Sequence, residues 1–283
     1  MIRSDLGAHY YWVDGALVAP GAAAIRPEDK ALSGIGVFEA IKVVDGTPFA
    51  LRRHLARLLA SAAPLELPID LDRVHEGIAA VLAAPDATTP SRRWLRITVT
   101  AGPAAMATSA PPQDPTVIVA TSPMAPWGPT TSVVVLPWRR NERGALAGLK
   151  TISYLENGMG LRRAAERGAE EGIFANTVGN LCEGCGTNIF VVHDGELVTP
   201  PLTAGCLAGV TRGLVLEWVP GIVERDLPIG VLTTCEEAFI TSTSRDVHPI
   251  ASIDGRTLAE APGSMTAGAM RVFAERAAAC PDP

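Results

Sequence analysis

Residues 171–192 read EGIFANTVGNLCEGCGTNIFVV. Two strand-like runs, EGIFAN and TNIFVV, flank a short polar turn and a C-x-x-C pair, Cys182 and Cys185, with Glu183 and Gly184 between them. Such a pair invites two readings, half of a zinc site or a redox dithiol. A structural zinc site takes four ligands, usually as two paired sets. The five cysteines (Cys182, Cys185, Cys206, Cys235, Cys280) supply no second C-x-x-C, and no H-x₃₋₅-H follows, so no metal is expected. A thioredoxin-like dithiol sits where a helix begins, whereas this pair runs into a strand. An odd cysteine count fits reduced thiols. The segment reads as strand, turn and strand, with two small half-buried thiols beside an acid.

Outward from this segment the same alternation of short elements continues. Towards the N-terminus, YYWVDGALV (10–18) and GVFEAIKVVDGTPFAL (36–51) alternate as half-buried strands, each broken by an Asp-Gly turn. Leu51, Leu55, Leu58 and Leu59 then mark an amphipathic helix that ends near Pro64, and a second helix covers about 71–84. WLRITVTAG and PTVIVATS form a further strand pair, joined by the Pro- and Ala-rich run PAAMATSAPPQD. The uncharged SPMAPWGPTTS (122–132) reads as an interdomain connector. Beyond it come the strand SVVVLPW, the loop NERGALAG, an alanine-rich helix to about Gly168 and, past the opening segment, the helix GVTRGLVLEWV with Thr211 at its start. A strand pair around TSTS (241–244) and a helix over about 264–278 complete the chain. Strands and helices mix without strict alternation, which argues for α+β with antiparallel pairing. The expected division is a smaller N-terminal domain over 1–121, a connector at 122–131 and a larger C-terminal domain over 132–283.

Composition excludes several functions. Hydrophobic residues make up 47% and charged residues 19% of 283, a globular balance. Net charge is −6, so no basic field invites nucleic acid or anionic lipid. No run approaches the ~18 apolar residues of a membrane span, and the first fifteen residues lack the apolar core of a signal peptide. A cytoplasmic protein without nucleic-acid or membrane partners is expected. Of the 24 basic residues only three are lysines, Lys30, Lys42 and Lys150.

That scarcity focuses any amine chemistry. Lys150, in LAGLKTISYLEN, has apolar neighbours and no carboxylate within three positions. Enclosure would lower its pKa and suit it to Schiff-base chemistry. The same residue also fits a lysine whose stem packs while its amine reaches water. Lys42 alternates like a surface strand lysine, and Lys30 looks like a turn residue. GVTRG and TSTS are both small-residue turns with backbone N–H groups of the kind that bind phosphate, although ordinary caps use the same residues. Arg57, in HLARL, carries the guanidinium fork that phosphate favours.

Taken as an ordered set, these motifs resemble the class IV (fold-type IV) pyridoxal-phosphate enzymes, which comprise branched-chain and D-amino acid aminotransferases and aminodeoxychorismate lyases. The likeness runs through LSGIGVFEAIKVVDGTPF, HLARLLASA, LKTISYLEN, EGIFANTVGNLCEGCGTNIFVV, ELVTPPLTAGCLAGVTRGLVLE and EEAFITSTSRDVHPI, nearly the whole chain. It implies a two-domain α+β fold like that of D-amino acid aminotransferase, with a small N-terminal α/β domain and a larger one built on a mixed, barrel-like sheet. It also implies pyridoxal 5'-phosphate as cofactor and a homodimer, since relatives build the site at a dimer interface.

Residue by residue, Lys150 matches the Schiff-base lysine and Glu183 the acid that pairs with the pyridine nitrogen. Arg57 matches the phosphate-binding arginine; Val210, Thr211, Ser242 and Thr243 match the rest of the phosphate cup. Glu39 falls in the strand that lines the substrate side in relatives, and Tyr154 lies near a tyrosine that some of them turn toward the cofactor. The resemblance implies an aminotransferase acting between an amino donor and a 2-oxo acid acceptor, or alternatively an aminodeoxychorismate lyase releasing pyruvate and 4-aminobenzoate. Several relatives, lyases included, carry an S-R-G turn after the strand LRITVT. Here the run is TAGPAAMATS, without an arginine, which favours the aminotransferase and leaves Arg96 and Arg143 as substitutes for binding a substrate carboxylate.

Overall fold

The computed structural model describes residues 9–19, 22, 26–84, 91–105, 112 and 114–283; most of the PAAMATSAPPQD run lies outside these. The chain forms two compact units, residues 1–126 with 149–153 and 281–283, and residues 127–148 with 154–280. A single cut within 122–131 therefore misassigns two short segments, and Lys150 lies in one of them.

The first unit contains β1 (Tyr10–Val13), β2 (Ala16–Val18), β3 (Gly36–Val44), β4 (Thr47–Pro48), α1 (Leu51–Ala62), α2 (Leu71–Leu82), β5 (Arg92–Thr100) and β6 (Val117–Pro123). Among the described residues its sheet has six strands in the order β2-β1-β6-β5-β3-β4. Every pairing in it is antiparallel. The hairpins turn where the sequence puts Asp-Gly: Asp14 and Gly15, then Asp45 and Gly46, all hold positive φ, as primed hairpin turns require. Asp70 caps α2 by accepting N–H bonds from Asp72 and Arg73.

Helices α1 and α2 cover one face of this sheet. Strand alternation sends Val37, Ile41 and Val43 into the core beneath them, with Leu58, Leu95 and Ile97. Glu39 shares that face. Lys42 is buried rather than surface-exposed, because its ammonium is covered by Phe49, 5.0 Å from the ring centre. Residues 149–153 run beside the start of β3. Thr151 bridges Val37, the Phe38 N–H donates to the Lys150 carbonyl (3.0 Å), and the Ile152 N–H donates to Gly36 O (3.0 Å). The Lys150 N–H donates to Ser61 Oγ on α1 (3.1 Å). This segment passes so close to the sheet that a side chain at Gly36 would meet Val99 O at 2.6 Å and Ile152 Cδ1 at 2.9 Å.

The second unit contains β7 (Thr131–Arg140), α3 (Leu155–Glu166), β8 (Glu171–Asn176), β9 (Leu181–Gly184), β10 (Asn188–His193), β11 (Glu196–Thr199), α4 (Val210–Trp218), β12 (Val223–Glu224), β13 (Glu237–Ser242), β14 (Asp246–Ile253), β15 (Arg256–Thr257) and α5 (Ser264–Ala279). Eight of its strands follow the order β12-β11-β10-β13-β14-β7-β8-β9, and β15 pairs with β14. The expected antiparallel pairing fails here at β7, which is parallel to both β8 and β14. A parallel partner cannot be reached by a tight turn, so residues 141–170 form a crossover that includes α3. A third parallel pair joins β11 to β12, and the result is a mixed sheet. Its core gathers Ile173, Leu181, Ile189, Val191, Ile240 and Ile250. Helices α4 and α5 pack on each other, with the Trp218 and Phe273 rings 5.4 Å apart.

One glycine of α2 reports on packing directly. Alanine normally stabilises a helix interior over glycine by about 1 kcal/mol. At Gly77, however, a Cβ would lie 2.6 Å from Val119 Cγ2 and 2.8 Å from Trp12 Cε3, both fully buried side chains. Overpacking of this kind costs roughly 1–3 kcal/mol. Gly77→Ala should therefore lower the melting temperature, and a rise on thermal denaturation would show that this contact gives way.

Candidate active site

In the first unit the key ring is Phe38 on β3. The Lys150 Nζ lies 4.3 Å from its centre and the Arg96 guanidinium 4.0 Å. Register explains the Arg96 contact: Phe38 pairs with Thr98 and Ala40 with Arg96, so all four side chains leave the same face of the sheet. Arg96 is solvent-exposed, and its Nε donates to Thr98 Oγ1 (3.2 Å). The Lys150 amine and the Arg96 guanidinium thus share one aromatic support. Arg143, the other arginine considered for this role, stands out in solvent, its Nε 3.9 Å from Glu142 Oε1.

Glu39 and Arg57 behave differently from expectation. Glu39 lies with Val37 and Ile41 on the face beneath α1, opposite to Phe38, and is fully buried. Arg57 grips it with two hydrogen bonds, Nε to Oε1 (2.8 Å) and one terminal nitrogen to Oε2 (2.7 Å). His54 Nδ1 adds a third contact at 2.7 Å. Burial alone pushes the Glu39 carboxyl up, but Arg57 and His54 outweigh it and hold it at about 2. An ionised carboxylate only accepts, so His54 presents Nδ1–H to it. Burial lowers the His54 pKa against the pull of Glu39, with Arg57 and Lys150 adding to the fall. Glu39 therefore does not line the substrate side; it orients Arg57. Period-two reading of VFEAIKV already places residue 39 with the core positions.

In the second unit Glu183 lies at the end of β9 and is 9% exposed. Its Oε2 accepts the Leu207 N–H (2.9 Å). Its Oε1 lies 3.3 Å from Arg140 Nε, close as an ion pair though not aligned as a hydrogen bond. Arg140 is itself held by Glu156 and by Asn157 Oδ1 (2.6 Å) at the start of α3, and stacks 4.2 Å from the Phe174 ring centre. No sequence signal pointed to Arg140, since strand-end arginines are common. Tyr154 precedes α3, and its hydroxyl donates to Cys185 O (3.0 Å), two residues beyond Glu183. Burial, then the nearby Glu171 and Glu183 charges, raise its pKa.

Glu171, also passed over by sequence reading, is a buried acid whose Oε1 accepts the Gly172 and Cys185 N–H groups (3.0 Å each). Burial raises its pKa despite those donors. Both C-x-x-C thiols are buried, and burial pushes each far above the ordinary thiol value. Such thiols are poor nucleophiles.

The two small-residue turns belong to this unit as well, α4 packing on β13. Val210 and Thr211 form the first turn of α4, capped by Gly209 without a side-chain hydrogen bond. Asn188 explains the glycine: its Oδ1 occupies the place a Cβ at 209 would need, while its Nδ2 donates to Leu207 O (2.9 Å). With no side chain to cap it, the helix start keeps its amides for another acceptor, which suits an anion such as a phosphate ester. Arg212 faces elsewhere, bound to Pro200 O (2.8 Å) and Glu224. Ser242 ends β13 and Thr243 begins the turn into β14, where Asp246 holds φ 54°.

An antiparallel sheet with two helices, followed by a mixed sheet entered through a parallel crossover, is the two-part α+β architecture of fold-type IV pyridoxal-phosphate enzymes. Residues 36–253 match the amino-transferase class IV family, and the chain belongs to that family. The chain is 29% identical over 278 residues to a branched-chain-amino-acid aminotransferase of Salmonella typhimurium, covering 89% of this chain and 87% of that one. A branched-chain aminotransferase from the thermophilic archaeon Thermoproteus uzoniensis, crystallised with norvaline, superposes with a TM-score of 0.86 at 28% identity, covering 95% and 94% of the two chains. The PLP-bound form of a hypothetical aminotransferase from Mycobacterium tuberculosis gives 0.83 at 26%, covering 98% and 100%. The protein is thus a pyridoxal-phosphate-dependent class IV aminotransferase.

The Glu39 cluster makes a testable contribution to stability. An unfolded glutamate titrates near 4.5, whereas folded Glu39 stays ionised down to about 2. Ionised Glu39 therefore favours the folded state above pH 4.5, and this advantage is lost as pH falls from 4.5 to 2. Its size is roughly 3 kcal/mol. Melting curves should show Glu39→Gln less stable at pH 7 and less acid-sensitive between pH 4.5 and 2.5 than the wild type. An unchanged acid slope would remove Glu39 from this role.

Proposed function

We propose that the enzyme moves the amino group of an aliphatic α-amino acid to a 2-oxo acid, the branched-chain substrates of its named relatives being the nearest guide. The observation that carries this reading is Phe38 with Lys150 on one side of its contacts and Arg96 on another. An α-amino acid presents an amine and a carboxylate a few bonds apart; the Arg96 guanidinium suits the carboxylate, and the Lys150 amine marks where the substrate amine reacts. Aminodeoxychorismate lyase is the weaker alternative, since the named relatives are aminotransferases.

Bound pyridoxal phosphate supplies a carbonyl for amines to condense with and a ring that takes up the electron pair left at the substrate α-carbon. The residues of this chain do the rest in the proposed assignment. Lys150 would hold the cofactor at its carbonyl carbon, and as a free amine it would carry a proton to and from the substrate α-carbon. Arginine at that position would stay charged and could not. Glu183 would face the ring nitrogen and hold its proton, with Arg140 Nε 3.3 Å from the carboxylate Oε1. In the first unit Arg57, oriented by Glu39, is assigned to the phosphate; in the second unit Val210, Thr211, Ser242 and Thr243 are. Tyr154 fixes the strand end that carries Glu183 through its bond to Cys185 O. Arg96 binds the substrate carboxylate.

Amino transfer from valine, leucine and other amino acids to 2-oxoglutarate should be measured beside aminodeoxychorismate turnover. Release of 4-aminobenzoate without any amino transfer would overturn the reading. Arg96→Gln should raise KM for amino acid and oxo acid by about 10- to 100-fold, the worth of a charge-assisted hydrogen bond. Unchanged KM values would take the carboxylate away from Arg96.

We also propose a cytoplasmic homodimer, as the family likeness implies. Leu155 and Met159, one turn apart on α3, are exposed apolar side chains of the kind an interface covers. Among the described residues no helix is long and apolar enough to cross a membrane. Light scattering of the active enzyme should give twice the chain mass, and an active monomer would refute the dimer.

A further inference from the structure

Behind the turn that joins β13 to β14 lies a polar cluster that the proposed chemistry does not use. Arg245 is buried, 4% exposed at its side chain. Its guanidinium stacks 3.5 Å from the Trp127 ring centre. One terminal nitrogen donates to His248 Nδ1 (2.9 Å) and to Thr131 Oγ1 (3.3 Å), and lies 3.7 Å from Glu170 Oε2. Arginine can only donate, so His248 Nδ1 must be the bare acceptor. His248 Nε2 then carries the hydrogen and donates to Gly128 O (3.0 Å). A neutral histidine of one tautomer thus links Arg245 to the backbone beside Trp127. Burial and the Arg245 charge both lower its pKa, consistent with that neutral form.

The same residues tie the turn at both ends. Trp127 Nε1–H donates to Ser244 Oγ (3.1 Å), and the Arg245 N–H donates to Ser242 Oγ (3.3 Å). A three-residue hairpin turn has few internal bonds, and its amides hold an anion well only when their directions are fixed beforehand.

We propose that Trp127, Arg245 and His248 form a clamp that holds the Ser242–Ser244 turn in its anion-binding shape, which makes Trp127 and Arg245 positioning residues for the cofactor's phosphate. The inference rests on the reading of Ser242 and Thr243 as part of the phosphate cup. It differs from that reading in locating the control of affinity outside the cup, in side chains that are not members of it.

The test uses full-length protein stripped of cofactor, titrated with pyridoxal phosphate and separately with pyridoxal, which lacks the phosphate. Wild type should bind pyridoxal phosphate more tightly. Trp127→Phe keeps a ring over Arg245 but removes the Nε1–H donor. It should weaken pyridoxal phosphate about three- to ten-fold, the worth of one hydrogen bond, and leave pyridoxal unchanged. Arg245→Met should show the same selective loss, larger in size. Where the buried substitution unfolds the protein, Trp127→Phe alone decides. Undiminished affinity for pyridoxal phosphate, or equal loss for both ligands, overturns the clamp. Equal affinity of the wild type for both ligands removes the phosphate-cup reading, and the clamp with it.

Discussion

Two parallel neighbouring strands cannot be joined by a hairpin, and that constraint organises this protein. Because β8 lies parallel to β7, the chain must return through residues 141–170 before it can pair. In the middle of that return, residues 149–153 join the first unit and dock beside β3 by backbone hydrogen bonds. Lys150 is therefore held by main-chain geometry on both sides, and its side chain emerges at Phe38. The return ends in α3, whose first turn carries Glu156 and Asn157 to Arg140, and so to Glu183. One topological requirement thus delivers both the amine and the support for the acid.

Charge is handled consistently in both units. Glu39, Glu183 and Arg245 are buried or nearly so, and each is paired with specific partners. Breaking such a pair is costly, because the remaining charge stays out of water without compensation. The arrangement fixes geometry more than it adds net stability. Arg57 points where Glu39 lets it point, and Arg140 is restrained by an acid, an amide and the Phe174 ring together.

Much of the fold was legible in the sequence because its signals are local. Asp-Gly pairs marked the hairpins, and the leucine spacing of 51–59 marked α1. The motif order also identified the family. The rest depends on distant partners. Nothing in SVVVLPW reveals that it will pair in parallel, since buried strands of either kind are apolar. Arg140 and Arg245 are ordinary arginines until strands from elsewhere bring their partners to them. Glu39 is an instructive case: the resemblance set it on the substrate side, while the alternation of Val37, Glu39 and Ile41 turns it toward α1. Lys42 was misjudged because an aromatic side chain seven residues away covers it.

Asn188 and Gly209 carry a consequence for how this protein can change. The amide of Asn188 fills the space beside residue 209 and satisfies the Leu207 carbonyl. A larger residue at 209 is admitted only if 188 is first shortened, and shortening 188 takes from that carbonyl one of its two donors, the Gly209 N–H being the other. Either single step passes through a poorer protein. The two positions, twenty-one residues apart in the chain, are thus inherited as one decision, and the helix start they leave uncapped is preserved by the obstruction as much as by its use.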